Sequence, residues 1–140
     1  MKKVAEVQNM CAQHEQLRDV ANLYRLELAK PGPDPRSLAD CRWKLMRLVT
    51  GHLAYEGLHL YPALYRSGGK NADTARQMAV EIEQLSGALQ SHVREWTVTR
   101  IENDWPGYRR AAESLIDTLV HRMDREEKVL YPLVMVAKAA

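Results

Sequence analysis

Phenylalanine is missing from this chain altogether and only 6% of its 140 residues are aromatic, an absence that nothing else in the sequence accounts for. Cysteine occurs twice, at Cys11 and Cys41, which is too few for a disulfide framework and does not form a metal-binding spacing. With the two on neighbouring antiparallel helices, their offset along the axis is about 20 Å, well beyond the ~7 Å that a bridge spans. Both are expected to be reduced. No run approaches the ~18 uncharged apolar residues of a membrane-spanning helix. The opening Met-Lys-Lys leads into a helical pattern without the apolar core of a signal peptide, so a cytoplasmic protein is expected. No basic block stands out among the 20 basic and 18 acidic residues, whose formal balance is +2. Neither nucleic acid nor an anionic membrane is therefore an implied partner. Alternating β-branched runs are also absent, which argues against a sheet.

What is present is an ordinary globular composition, 46% hydrophobic and 27% charged, in a chain long enough to bury its own core as one domain over residues 1–140. Three short stretches combine Pro or Gly with polar residues and read as turns: Lys30 to Pro35, Ser67 to Asn71 and Asn103 to Gly107. Between them lie four segments of roughly 27 to 33 residues. The first carries an apolar stripe through Val7, Met10, His14, Leu17, Ala21, Tyr24 and Leu28, and the second through Leu38, Cys41, Leu45, Leu48, His52, Glu56 and Leu60. The third runs through Met78, Ile82, Leu85, Leu89, His92 and Trp96. The fourth is less regular, with Leu115, Leu119, Arg122 or Met123, Glu126, Leu130 and Leu133.

Four long helices joined by short loops must alternate in direction, so the expected fold is all-α, an up-down-up-down antiparallel four-helix bundle. Ser37 and Asp73 are the expected N-caps of the second and third helices. Pro62 and Pro132 are expected to kink or end the helices in which they fall. Trp43, Trp96 and Trp105 read as packing residues, and Tyr61 and Tyr131 as leaning on the bundle end.

The stretch that carries chemistry is His52-Leu-Ala-Tyr-Glu56, followed shortly by Leu-Tyr-Pro. Residues four apart on a helix lie on one face, so this imidazole and carboxylate project side by side, as two ligands of one metal ion do. The pattern has an echo near the other end, where His121 and Glu126 also precede Leu-Tyr-Pro. When the two Tyr-Pro pairs are superposed, Glu126 falls on Glu56 and His121 one place before His52. A third imidazole, His14, lies on the first helix. Counting outward from each turn puts His14, His52, Glu56, His121 and Glu126 within about two helical turns along the axis, roughly 11 Å. Burying two carboxylates and three imidazoles uncompensated would exceed the marginal stability of a domain. A bound cation removes the difficulty, and a mixed nitrogen and carboxylate shell suits iron, manganese or zinc, with iron favoured where open positions remain.

At these residues the chain resembles the haemerythrin-like family, also called HHE cation-binding domains, over essentially its whole length. The matching features are His14 on the first helix, His52-x-x-x-Glu56 on the second, His121-x-x-x-x-Glu126 on the fourth, and the Leu-Tyr-Pro after both. The resemblance implies a bundle around a non-haem di-iron centre bridged by Glu56 and Glu126. It also implies binding of a small ligand such as dioxygen, nitric oxide or peroxide, in carriage, sensing, storage or repair rather than conversion of an organic substrate, and is compatible with a homodimer.

The third helix departs from the family, with Ile82 and Met78 standing where members carry His. Three outcomes stay open: a di-metal centre completed by Glu81, Glu83 or water; a single iron or other divalent metal held by His14, His52, Glu56 and Glu126; or a degenerate site. His59 gives Glu56-x-x-His59, as in ferritin-type bundles, but lies one turn toward the loop, and no second such motif occurs. His92, two or three turns from Ile82, reads as a core histidine. The alternative function is a metal-free regulatory or interaction bundle.

Overall fold

Proline, glycine and short polar side chains decide where the helices begin. The computed structural model describes residues 2–139, and no strand occurs among the described residues. Met1 and Ala140, the ends of the expected domain, lie outside them. After α1 (Lys2–Leu28), α2 (Pro35–His59) starts at a proline whose missing N–H is no loss in a first turn. Its N-cap is Asp34 rather than Ser37. The Asp34 carboxylate accepts from the Ser37 backbone N–H at 3.4 Å and from its hydroxyl at 3.2 Å, so Ser37 is the residue capped.

Pro62 has no N–H to continue α2, which stops at His59 and resumes as α3 (Tyr61–Ser67) with the proline in its first turn. Gly68 (φ +66°) and Gly69 (φ +58°) then turn the chain through the left-handed region. α4 (Gly69–Glu95) begins here, four residues ahead of Asp73, which is therefore inside the helix and not its cap. Nor does this helix continue to residue 102. The Thr97 hydroxyl accepts from the Arg100 N–H at 3.2 Å and starts a separate α5 (Val98–Asn103). Asp104 caps α6 (Trp105–Arg125) by accepting from the Gly107 N–H at 3.0 Å. The chain then widens into a π-helical turn, Glu126–Leu130, before α7 (Tyr131–Ala139).

α1 runs alongside α2 in the opposite direction, Asn9 meeting Tyr55 and Gln13 meeting His52. It runs opposite to α6 as well, with ion pairs of 3.0 Å from Arg18 to Asp124 and 2.8 Å from Arg25 to Asp117. Across the interior α4 faces α6, His92 stacking on Tyr108. The buried apolar residues form two clusters. One is centred on Leu17, Tyr24, Leu45, Leu89, Tyr108 and Ile116, the other on Met10, Leu60, Met78, Ile82, Leu130 and Tyr131. His14 lies between Met10 and Leu17 on the buried stripe of α1, at the seam between them.

Trp96 and Trp105 are buried, and the Trp105 indole donates to the Lys30 carbonyl at 3.1 Å. Trp43 is not a core residue. It is 62% exposed, with Arg47 over its ring, because a position two residues from Cys41 falls on the far side of the helix. Cys11 and Cys41 are both free thiols. Among the described residues no helix is long and apolar enough to cross a membrane.

His92 is only 9% exposed, and its Nε2 has no hydrogen-bond partner among the described residues. Burial, with a smaller contribution from the Arg42 charge, pushes its pKa down to about 4. The unfolded chain, with an ordinary imidazole near pH 6.5, takes up this proton first, so stability is full above about 6.5 and falls as pH drops towards 4. Replacing His92 with Gln should flatten that acid limb by up to about 3 kcal/mol in denaturant titrations from pH 7 to 4. An unaltered pH profile would contradict the assignment.

Candidate metal centre

Four ionisable side chains meet at the seam. α1 supplies His14, α2 supplies His52 and, one turn on, Glu56, and the first residue of the π turn is Glu126. None is more than 4% exposed. One ligand atom from each falls in a group whose members all lie within 4.8 Å of one another. The Nε2 atoms of His14 and His52 are 2.9 Å apart, and Glu126 Oε1 is 2.9 Å from the first and 3.4 Å from the second. Glu56 Oε2 is 3.2 Å from His52 Nε2.

The outer nitrogens explain why both rings point inward. His52 Nδ1 donates to Gln13 Oε1 at 2.7 Å, and His14 Nδ1 to Glu127 Oε2 at 3.2 Å, with Glu127 held in turn by Arg18. An acceptor on Nδ1 fixes the ring and leaves Nε2 as the inward ligand atom. Two lone pairs facing each other at 2.9 Å repel unless a proton or a cation lies between them. Two imidazoles bonded at ~2.1 Å to one ion at right angles would stand about 3 Å apart, which is the spacing found.

The Hemerythrin HHE cation binding domain family model matches residues 6–134. The chain belongs to this family. No curated protein and no solved structure matched it.

In this member of the family His121 is not part of the cluster. It is exposed, whereas Arg122 beside it is buried. Five residues of α-helix rotate a side chain by about 140°, so a histidine five before Glu126 faces away, and the residue four before, Arg122, takes the inward place. Glu83 is exposed, and Glu81 is engaged by Arg122 and Arg125. His59 lies at the rim, its Nδ1 3.4 Å from Glu6. His92 sits with Tyr108 and Trp96 in the other part of the core.

Tyr131 does more than lean on the bundle end. Its hydroxyl lies 3.0 Å from His14 Nε2 and donates to Glu56 Oε2 at 3.1 Å. The sequence carried a signal for this. Pro132 cannot donate to the carbonyl four residues before it and crowds that carbonyl. In the wide turn the Tyr131 N–H bonds instead to the Glu126 carbonyl five residues back, which brings the tyrosine onto the glutamate's face. Gln13 and Glu127, which anchor the rings, stand one residue from His14 and Glu126 and left no motif of their own.

Burial opposes a charge on His52, but its bonds to Glu126 and Glu56 outweigh this and lift its pKa to about 9. Burial, with the neighbouring Glu126 charge, pushes Glu56 upward. Glu126 is buried too, yet the bonds from His14 and His52 hold its carboxyl below the usual range. Protons thus serve as the counter-charges of this cluster when it holds no metal. Even so, Glu56 Oε1 and Glu126 Oε2 are buried and have no hydrogen-bond partner among the described residues.

Two imidazole nitrogens, two carboxylates and two orphaned carboxylate oxygens in one pocket fit a single divalent ion of intermediate hardness. Replacing Tyr131 with Phe removes the donor to Glu56 from the metal-free protein and should destabilise it by about 1–3 kcal/mol. Chemical denaturation would measure this, and an unchanged midpoint would contradict the role given to the hydroxyl.

Proposed function

We propose that the chain is a non-haem iron protein of the haemerythrin family whose ion is held by His14, His52, Glu56 and Glu126. We read its four long helical segments as an up-down-up-down bundle, with α3, α5 and α7 as additions to it. The observation that carries the proposal is the convergence of four buried ligand atoms within 4.8 Å, two of them on carboxylates that each keep an unpartnered oxygen. A bound iron would supply a Lewis-acidic centre with an open position for a small ligand such as dioxygen, nitric oxide or peroxide. This chain's part is to orient the imidazoles through Gln13 and Glu127, to hold a hydroxyl donor at Tyr131 beside the site, and to keep bulk water out.

The cavity on the α4 side supports a ligand of that size. It has a volume of about 20 Å3 and is walled mainly by apolar residues including Val49, Leu53, Ile82 and Leu119, with His52, Arg122 and Glu126 as its polar lining. That is room for one water or one diatomic molecule. Carriage or sensing of such a ligand is the function the arrangement supports best.

Protein made in iron-replete cells should contain iron by elemental analysis and should gain melting temperature on anaerobic addition of ferrous iron, since a ligand bound only by the folded state stabilises it. Replacing His52 with Ala should abolish both. Replacing Gln13 with Ala should weaken binding by about 10- to 100-fold, because the ring loses the acceptor that orients it. No metal and no thermal gain in the unaltered protein would instead identify a bundle that works without an ion.

A further inference from the structure

We propose that Arg122 stands where a second metal ion would otherwise sit, so that this centre takes one cation and carries a fixed guanidinium as the other. The proposal rests on the metal-binding function argued above. Arg122 is 8% exposed and lies four residues before Glu126, on the same helical face. With His52, Glu126 and Ile82 it walls the cavity of about 20 Å3 beside the ligand group. Its Nη2 is bound to Glu81 on α4, which also accepts from Arg125 Nη1 at 3.1 Å. Its Nη1 is buried without a hydrogen-bond partner among the described residues, as are Glu56 Oε1 and Glu126 Oε2.

Among the described residues no imidazole or carboxylate beyond the four ligands is free to hold a second ion on this side, and the one addition is the buried, unpartnered Tyr61 hydroxyl, a neutral oxygen. Ile82 and Met78 are apolar and buried, Glu83 and His121 are exposed, and Glu81 is taken by arginines. The four ligand atoms within 4.8 Å span one ion. Charge agrees with the count. A guanidinium stays protonated at any pH at which the fold survives. One divalent ion therefore matches Glu56 and Glu126, while Glu81 is already engaged by Arg122 and by the partly exposed Arg125, so a second divalent ion would bring two uncompensated positive charges into a buried site. Arg122 and Glu81 thus form an internal ion pair that limits how many ions bind and lowers the affinity for the one that does.

The test is anaerobic titration with ferrous iron, read by calorimetry and by elemental analysis after desalting, with circular dichroism to confirm folding. The unaltered chain should bind one ion. Arg122→Lys keeps the charge and should bind one ion with affinity within about threefold of the unaltered chain. Arg122→Met removes the repulsion and should bind its first ion about tenfold more tightly or better. Should that variant not fold, Arg122→Gln, uncharged but polar, should show the same gain. A merely structural arginine would weaken binding in both the Lys and the uncharged variants, and that outcome, or unchanged affinity in a folded uncharged variant, overturns the proposal. Two ions per unaltered chain overturn it while leaving the metal-binding function intact. No ion at all overturns both.

Discussion

Four ionisable side chains taken out of water at one point are the constraint to which the rest of this molecule answers. His14, His52, Glu56 and Glu126 sit at the seam between two apolar clusters, each at most 4% exposed. Isolated, any of them would be costly there. Together they exchange hydrogen bonds and share protons, and the surrounding elements are arranged to make that exchange possible. α1 and α2 run in opposite directions at the register that sets His14 beside His52, and Gln13 and Glu127 turn the two rings inward. The π turn delivers Glu126 and Tyr131 to the same face.

A proton network and a metal ion are interchangeable answers to the same electrostatic demand. In the metal-free cluster a raised His52 and a raised Glu56 supply the protons. A divalent ion would displace them and engage the two carboxylate oxygens that protons leave without partners. The site therefore tolerates the empty state, and its two unpartnered carboxylate oxygens are the feature that an ion would satisfy. Under the proposed function, the adjoining space of about 20 Å3 is where a small ligand would meet the ion. Arg122 and Glu81 add an asymmetry, because beside the cluster a buried guanidinium stands among apolar side chains of the same cavity.

Much of this was legible in the sequence, and the failures have physical causes. The stripe positions of His14, His52 and Glu56 follow from three- and four-residue spacing, which backbone geometry turns directly into a common face. Glu126 was found by the same logic. His121 was placed with it on its height along the bundle and on the family's pattern, neither of which fixes the direction in which a side chain points, and the one-place offset from His52 in the superposition of the two Tyr-Pro pairs was the sign that it faces away. The helical segments, the break at Pro62 and the turn at Gly68 and Gly69 were recognised, but the break at Thr97 and the π turn were not. A Thr97 cap and a π turn are local events that leave the surrounding periodicity nearly intact. Tyr131 was misread because its place depends on that π turn, while Gln13 and Glu127 act through atoms whose partners lie on other helices.

The most direct test of the account is the location of the ion itself, by anomalous X-ray scattering at the iron edge from crystals of the iron-loaded protein. The account predicts one peak per chain, within bonding distance of the His14 and His52 Nε2 atoms and of the Glu56 and Glu126 carboxylates. A peak elsewhere, or loaded crystals with no iron peak within bonding distance of both Nε2 atoms, would contradict it.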